Sequence, residues 1–317
     1  MVTVELRKAW RDSAPLTATS ILMMAALVAS CAGIFLDPRI ITGVPAWLKP
    51  AKFAISTAIY SGTIAWLYRY ITIWPRFMHL VAWVLAAVLV IEVAIIDLQA
   101  ARGTTSHFNA ATPLDTTLFG IMGAAIALLW LASVAVLIAL FRQKFQNAAW
   151  GWLLRLGMLT TVLGAAGGGL MIRMTPQQAE TLRSTHSVTA IGGHTVGAPD
   201  GGPGLPGVGW STQHGDLRIP HFFGLHGLQI IPFIGWFAIR TRRIQTARKQ
   251  IHFAFVIAAS YLAWIGILTW QALRAQSIVE PDVATLLAIA IWFGTTAVAI
   301  YFALGARLAE HAPAAAR

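Results

Sequence analysis

Long uninterrupted apolar runs set the pattern of this chain, not alternation of period two or a sustained heptad. A helix needs about 20 predominantly apolar residues to cross the hydrocarbon of a bilayer. Eight windows meet that requirement, at roughly 15–36, 47–70, 77–100, 117–141, 151–172, 220–239, 251–272 and 283–305. They predict an all-α fold: a polytopic transmembrane helix bundle of about eight spans, forming a single domain over residues 1–317. The first run follows Arg7, Lys8 and Arg11, as a signal peptide would. Its length, and the Leu36-Asp37-Pro38-Arg39 stretch after it in place of a small-residue cleavage site, favour a retained helix.

Composition agrees. Hydrophobic residues are 57% of the chain and charged residues 11%, against about 25% charged in a soluble domain. Mean hydropathy is +0.68. The formal net charge of +11 does not point to nucleic acid, because the basic residues fall between apolar runs and form no binding stripe. They read instead as topology signals. With the N-terminus cytoplasmic, the inner side holds Arg7, Lys8, Arg11, Arg69, Arg76, Arg142, Lys144, Arg155, Arg240, Arg242, Arg243, Arg248, Lys249, Arg307 and Arg317, 15 of the 23 Lys and Arg. An even number of spans then puts both termini in the cytoplasm. The acids run the other way: Glu5, Asp12 and Glu310 are inner, and the remaining nine of 12 are outer. Six of the nine histidines are outer too. Acids carry little topological information, so this asymmetry points to a site on the outer face. The lone Cys31 excludes an internal disulfide and reads as a small core residue.

Residues 173–219 are too polar for lipid and form the one long outer loop. Ten of the 16 residues from Gly192 to Gly207 are glycine or proline, with Val196, Leu205, Val208 and Trp210 in and around the stretch. A flexible linker would hold more serine and charge. An ordered lid over the outer helix ends is expected. Within it, Thr175 to Thr185 reads as a short surface helix with Thr175 as N-cap and Pro176 in the first turn.

Charges inside lipid are costly and are functional candidates by default. Glu92 lies in the third span, roughly 12–15 Å from its outer end at 1.5 Å per residue. Gln99 shares its face, and Asp97 points about 140° away. Glu92 and Asp97 are the candidate acid–base groups, with Arg102, Arg173 and Arg274 as possible partners. The sixth span opens Pro220-His221 and continues Gly224-Leu225-His226-Gly227-Leu228-Gln229. His221 and His226 are five apart, so they do not share a face as a helical metal pair at i, i+4 does. His226 and Gln229 do share one, and Gly224 and Gly227 leave room for another helix or a flat ligand. His107 follows the third span. It joins His221, His226 and Glu92 as a candidate metal ligand, and His226 and Gln229 are candidates for holding a cofactor. Asp115 reads as an N-cap of the fourth span, Lys49 and Lys52 as headgroup anchors of the second, and Gly164, Gly167, Gly168 and Gly169 as a close-packing surface.

The phrases WLKPAKFAIS (47–56), RGTTSHFN (102–109), HTVGAPDGGPGLP (194–206) and GDLRIPHFFGLHGLQ (215–229) together resemble a family of bacterial multi-pass membrane proteins. The resemblance spans most of the chain. It implies a bacterial inner (plasma) membrane location and carries no reaction with it.

Three functions fit these features. One is a metal or haem protein: imidazole with carboxylate suits zinc, iron or copper, and a b-type haem would take His226 as an axial ligand. Such a centre would support redox or hydrolytic chemistry on a lipid-soluble or periplasmic small molecule. Another is a proton-coupled transporter relaying through Glu92, although the inner helix halves hold almost no polar residues and no internal repeat is visible. The last is a non-catalytic receptor or assembly factor that binds through the loop. The lipid bilayer is the one partner common to all three.

Overall fold

A computed structural model describes residues 2–241, 244 and 246–305. The topological charges Arg242, Arg243, Arg307 and Arg317, together with Glu310 and His311, lie outside the described residues, as does the side chain of Glu5.

Helices make up most of the described residues. α1 (Val2–Asp12) and α2 (Ala14–Leu36) are followed by the hairpin of β1 (Ile40–Ile41) and β2 (Val44–Pro45). α3 (Leu48–Tyr68), α4 (Pro75–Ala101), α5 (Pro113–Arg142) and α6 (Ala148–Gly167) come next. The lid holds α7 (Pro176–Thr185), β3 (Thr195–Val196) and β4 (Gly215–Asp216). α8 (Arg218–Leu225), α9 (Gly227–Arg240), α10 (Ala247–Leu273) and α11 (Val283–Gly305) complete the described chain.

Six of these helices are long and apolar enough to cross a membrane, or seven if α8 and α9 count as one bent span. α3 falls short on composition, but its 21 residues pack along α2 and α4. The α1 helix was not foreseen. Ser13 interrupts it from α2 in extended backbone (φ −159°), and Thr17 ties the two together by donating to the Ala9 carbonyl at 2.9 Å. Its basic residues with exposed Leu6 and Trp10 suit the membrane interface.

One apolar core lies among α3, α4, α5 and α6 around Ile64, Leu85, Val136 and Leu154; a second joins α6, α9 and α10 around Leu153, Ile231 and Ala254. The connections sort cleanly to two ends. At one end Arg69 bonds Asp12, Thr72 bonds Gln143, and Arg155 bonds the Leu140 and Gln143 carbonyls. At the other, Arg39 donates to the Ala101 carbonyl, Lys52 to Val208 and Ser277 to Ser211.

A single straight sixth span was expected from Pro220. The helix instead begins at Arg218, breaks at His226 and resumes at Gly227 with a 51° bend. Close packing is the cause. A Cβ on Gly164 would lie 2.2 Å from the Gly224 Cα, so α6 and α8 meet backbone to backbone. The Thr161 hydroxyl then enters the broken ladder: it accepts from the Leu228 amide at 2.9 Å and donates to the Leu225 carbonyl at 3.3 Å. Tyr261 donates at 2.7 Å to the Phe223 carbonyl, which otherwise receives only a tight-turn bond from the His226 amide among the described residues. Inserted side chains of this kind are an ordinary origin of sharp kinks. Gly227 is filled in the same way, by Thr160 and the Gly157 carbonyl, so α6 occupies the space that these glycines open and no flat ligand fits there.

Candidate functional site

The lid, expected over 173–219 and found over 171–217, is tied to the α4–α5 loop and to Ser277 after α10. Asn109 bridges Ala190, with the Ala110 amide donating to Thr189 and the Ile191 amide to Phe108, both at 2.9 Å. Thr175 and Gln178 form a reciprocal capping box at the start of α7. Gly192 sits at φ +88°, where a Cβ would meet the Met171 carbonyl at 2.3 Å. Gly215 is pressed onto the Ala272 carbonyl of α10, leaving no space for a side chain. Asp200 organises the turn before β4 by accepting from the His194 and Thr195 amides at 3.1 and 2.8 Å, with the His194 ring at 3.1 Å.

Beneath the lid lies Glu92, 3% exposed. The His107 Nε2 approaches its Oε1 to 3.3 Å. The pair is not aligned as a hydrogen bond, and both carboxylate oxygens lack a donor among the described residues. The other face of His107 packs on Phe53, with ring centroids 5.3 Å apart, and its Nδ1 lies 3.1 Å from the Ser106 hydroxyl. The Lys49 ammonium sits 5.9 Å from the same Phe53 ring, within electrostatic reach of Glu92, Lys52, Arg218 and Asp200. Asp216 of β4 completes this buried cluster, the chamber beneath the lid. It is 1% exposed and binds the Arg218 guanidinium through both oxygens, with a shortest contact of 2.6 Å. Arg218 reaches on to the Gly209 carbonyl at 2.5 Å.

Burial, reinforced by the positive charge of Lys49, holds His107 well below the ordinary histidine value. Burial first, then Arg218, lowers His194 to about 4 against the opposing pull of Asp200. Both rings are therefore neutral at pH 7. Unfolding returns them to an ordinary value near 6.5, so below that pH the unfolded chain binds more protons than the folded one. Stability should fall as pH drops from about 7 to about 4.5, and a His194→Asn variant should lose less over that interval. Thermal unfolding in detergent at several pH values checks this; a midpoint constant across the interval contradicts it.

Of the four candidate metal ligands, Glu92 and His107 come together. His221 is engaged elsewhere: its Nδ1 lies 2.9 Å from the Gly164 carbonyl and its ring lies against Gly168. His226 stands in the helix break with its ring 4.5 Å from Phe222, and Gln229 donates to the Thr63 hydroxyl at 3.1 Å. Among the described residues, no three His, Cys, Asp or Glu side chains converge as a metal site would need. Asp97 has an unpartnered buried oxygen and makes no ion pair or hydrogen bond with Glu92 or His107 among the described residues. Arg102 pairs with Asp115 at 2.7 Å and with Gln99, not with Glu92. Asp115 is not the N-cap of α5. Thr112 takes that place, and Asp115 receives its hydroxyl at 2.6 Å. Lys49 and Arg218 are the chamber groups that sequence reading passed over. In the sequence both lysines read as headgroup anchors, with the deeper Lys52 as the one able to reach Glu92; Lys52 instead donates to the Val208 carbonyl, and Lys49 is the one near Glu92. No family model matches the chain, and neither a curated protein nor a solved structure shows significant similarity to it.

Proposed function

We propose that the chain is an eight-span protein of a bacterial inner membrane, with both termini cytoplasmic and the lidded chamber extracytoplasmic. In that chamber Glu92 and His107 exchange a proton with a small bound molecule of lipid-soluble or periplasmic origin. Counting α3 as a span is supported by its ends, which bond to groups at opposite ends of the bundle. The bias of Lys and Arg toward the end away from the lid supports the orientation.

The observation that carries the chemistry is the unsatisfied Glu92 carboxyl. A buried polar group normally finds a partner, and this one has two open oxygens beside a neutral imidazole. A ligand hydroxyl, amine or water donating to Glu92 would sit within reach of His107, the arrangement a general acid–base pair requires. Lys49 supplies the nearby positive charge for an anion formed there.

A metal ion held by Glu92 and His107 is the second reading. Their 3.3 Å separation suits two ligands each about 2.0–2.1 Å from one tetrahedral ion. Catalytic zinc sites draw on three protein ligands, and this pair supplies two, so the proton reading leads.

Infrared difference spectra across a pH titration of wild type, Glu92→Gln and His107→Gln test it, with elemental analysis of the same samples. The wild type should show one titrating carboxyl band that is absent in Glu92→Gln and displaced in His107→Gln. Identical spectra in wild type and Glu92→Gln would overturn the proposal. Stoichiometric metal lost in both variants would replace it with the metal reading.

A further inference from the structure

At the end away from the lid, α9 packs along α6 and α10 and meets α3 through the Gln229–Thr63 hydrogen bond, below which the two helices leave a gap lined from both sides. A lateral cavity of about 740 Å³ lies in that gap, within the size range of small-ligand pockets. Trp66 of α3, Trp150 of α6 and Phe233 and Trp236 of α9 give it an aromatic wall. Phe233 is 63% exposed, so the groove opens sideways. In a bilayer hydrocarbon is the solvent, and a lateral apolar groove is filled by a lipid chain. Any choice among lipids must therefore come from the polar groups at its mouth.

Tyr70, Asn147 and Arg240 line it at this end, and of these Asn147 and Arg240 carry nitrogen donors. The guanidinium of Arg240 lies over the Trp236 ring at 5.5 Å and makes no ion pair among the described residues. The carbonyl of Asn147 caps α6 by accepting from the Trp150 amide at 3.0 Å, which leaves its NH₂ as a donor. A guanidinium and an amide NH₂ at one mouth, with no carboxylate lining it, complement a phosphate. From Arg240 back to Gln229 the groove wall runs about 16 Å along α9, at 1.5 Å per residue.

We infer that this groove is a selective site for an anionic phospholipid, with one acyl chain along the aromatic wall and the phosphate between Arg240 and Asn147. The inference stands apart from the chamber at the other end. Full-length protein exchanged into equimolar phosphatidylglycerol and phosphatidylcholine, then weighed by native mass spectrometry, tests it. Wild type should retain about one phosphatidylglycerol in preference to phosphatidylcholine. Arg240→Gln should cut that preference roughly ten-fold, the measure of a charge-assisted hydrogen bond. Asn147→Ser keeps a helix cap while removing the NH₂, and should cut it less. Phe233→Trp, at an exposed ring that folding tolerates, should reduce retention of both lipids by narrowing the groove. Equal retention of the two lipids by wild type overturns the inference. So does an unchanged preference in Arg240→Gln, or an equal loss in Lys144→Gln, a change at an exposed cation outside the groove.

Discussion

Replacing Glu92 with methionine should raise the thermal midpoint of the protein in detergent. A helix-fastening acid would give the opposite result. Both Glu92 oxygens are buried without a donor, and an unsatisfied buried group costs about 1–3 kcal/mol. Methionine fills a similar volume and adapts to irregular space. One kcal/mol corresponds to about 2–4 °C for domains of 150–250 residues, and to about the low end of that for a longer chain, so a rise of roughly 2–6 °C is expected. Losing the attraction of Lys49 offsets little, because no ion pair joins the two among the described residues. A fall in midpoint would show that Glu92 holds helices together, and the chamber would lose its claim to chemistry. A gain in stability with loss of the titrating carboxyl is the trade-off seen where a site is kept at the expense of packing.

Asp216→Ala should have the largest destabilising effect, concentrated in the lid. The mutation leaves the Arg218 guanidinium without its counter-charge and the Ser211 amide without its acceptor, which now lies 2.9 Å away. Breaking a buried pair by removing one partner costs about 3–5 kcal/mol. If most of that falls on local opening, hydrogen exchange of the lid amides, Leu217 among them, should quicken by about a hundred-fold or more, since 1.4 kcal/mol is a factor of ten. Exchange as slow as in wild type would mean that the lid is held elsewhere. The pH dependence has a definite sign. Burial pushes Asp216 up, but the hydrogen bonds and charge of Arg218 and the Ser211 amide outweigh it, so its folded value lies below the ordinary 3.8. Its contribution is complete above the ordinary range and is lost as pH falls through the folded value.

The sequence carried the helices well, because a run of 20 apolar residues is a strong local signal. α3 shows the limit of that signal: its lysines and small polar residues dilute the run, and only its packing along α2 and α4 gives it the stature of a span. The bend at His226 was illegible, since what fixes it comes from Thr161 on α6 and Tyr261 on α10, both remote in sequence. The surplus of outer acids was read as a site, and most of it has a plainer origin. Asp37, Asp115, Glu180, Asp216 and Asp282 each pair with an arginine at the same end, and Asp200 serves the lid backbone. That leaves Glu92, Asp97 and the exposed Glu280, and of these Glu92 is the one beside His107, with Asp97 apart from it. His107 next to a buried acid was legible from the order of the chain; the engagement of His221 with Gly164 was not, because glycine announces close packing without naming its partner.

The pinned corner between α8 and α9 decides the direction of traffic. Discontinuous helices often serve as hinges, because their loosened backbone groups await an ion or a moving neighbour. Here Thr161 and Tyr261 have taken those groups, and the corner is part of a fixed floor. On the proposed function, a solute bound for Glu92 would then come through the roof. Its entry is set by how often the short strand pairs at Asn109–Ala190 and Thr195–Asp216 let go, and no tilting of a helix within the membrane will substitute for that.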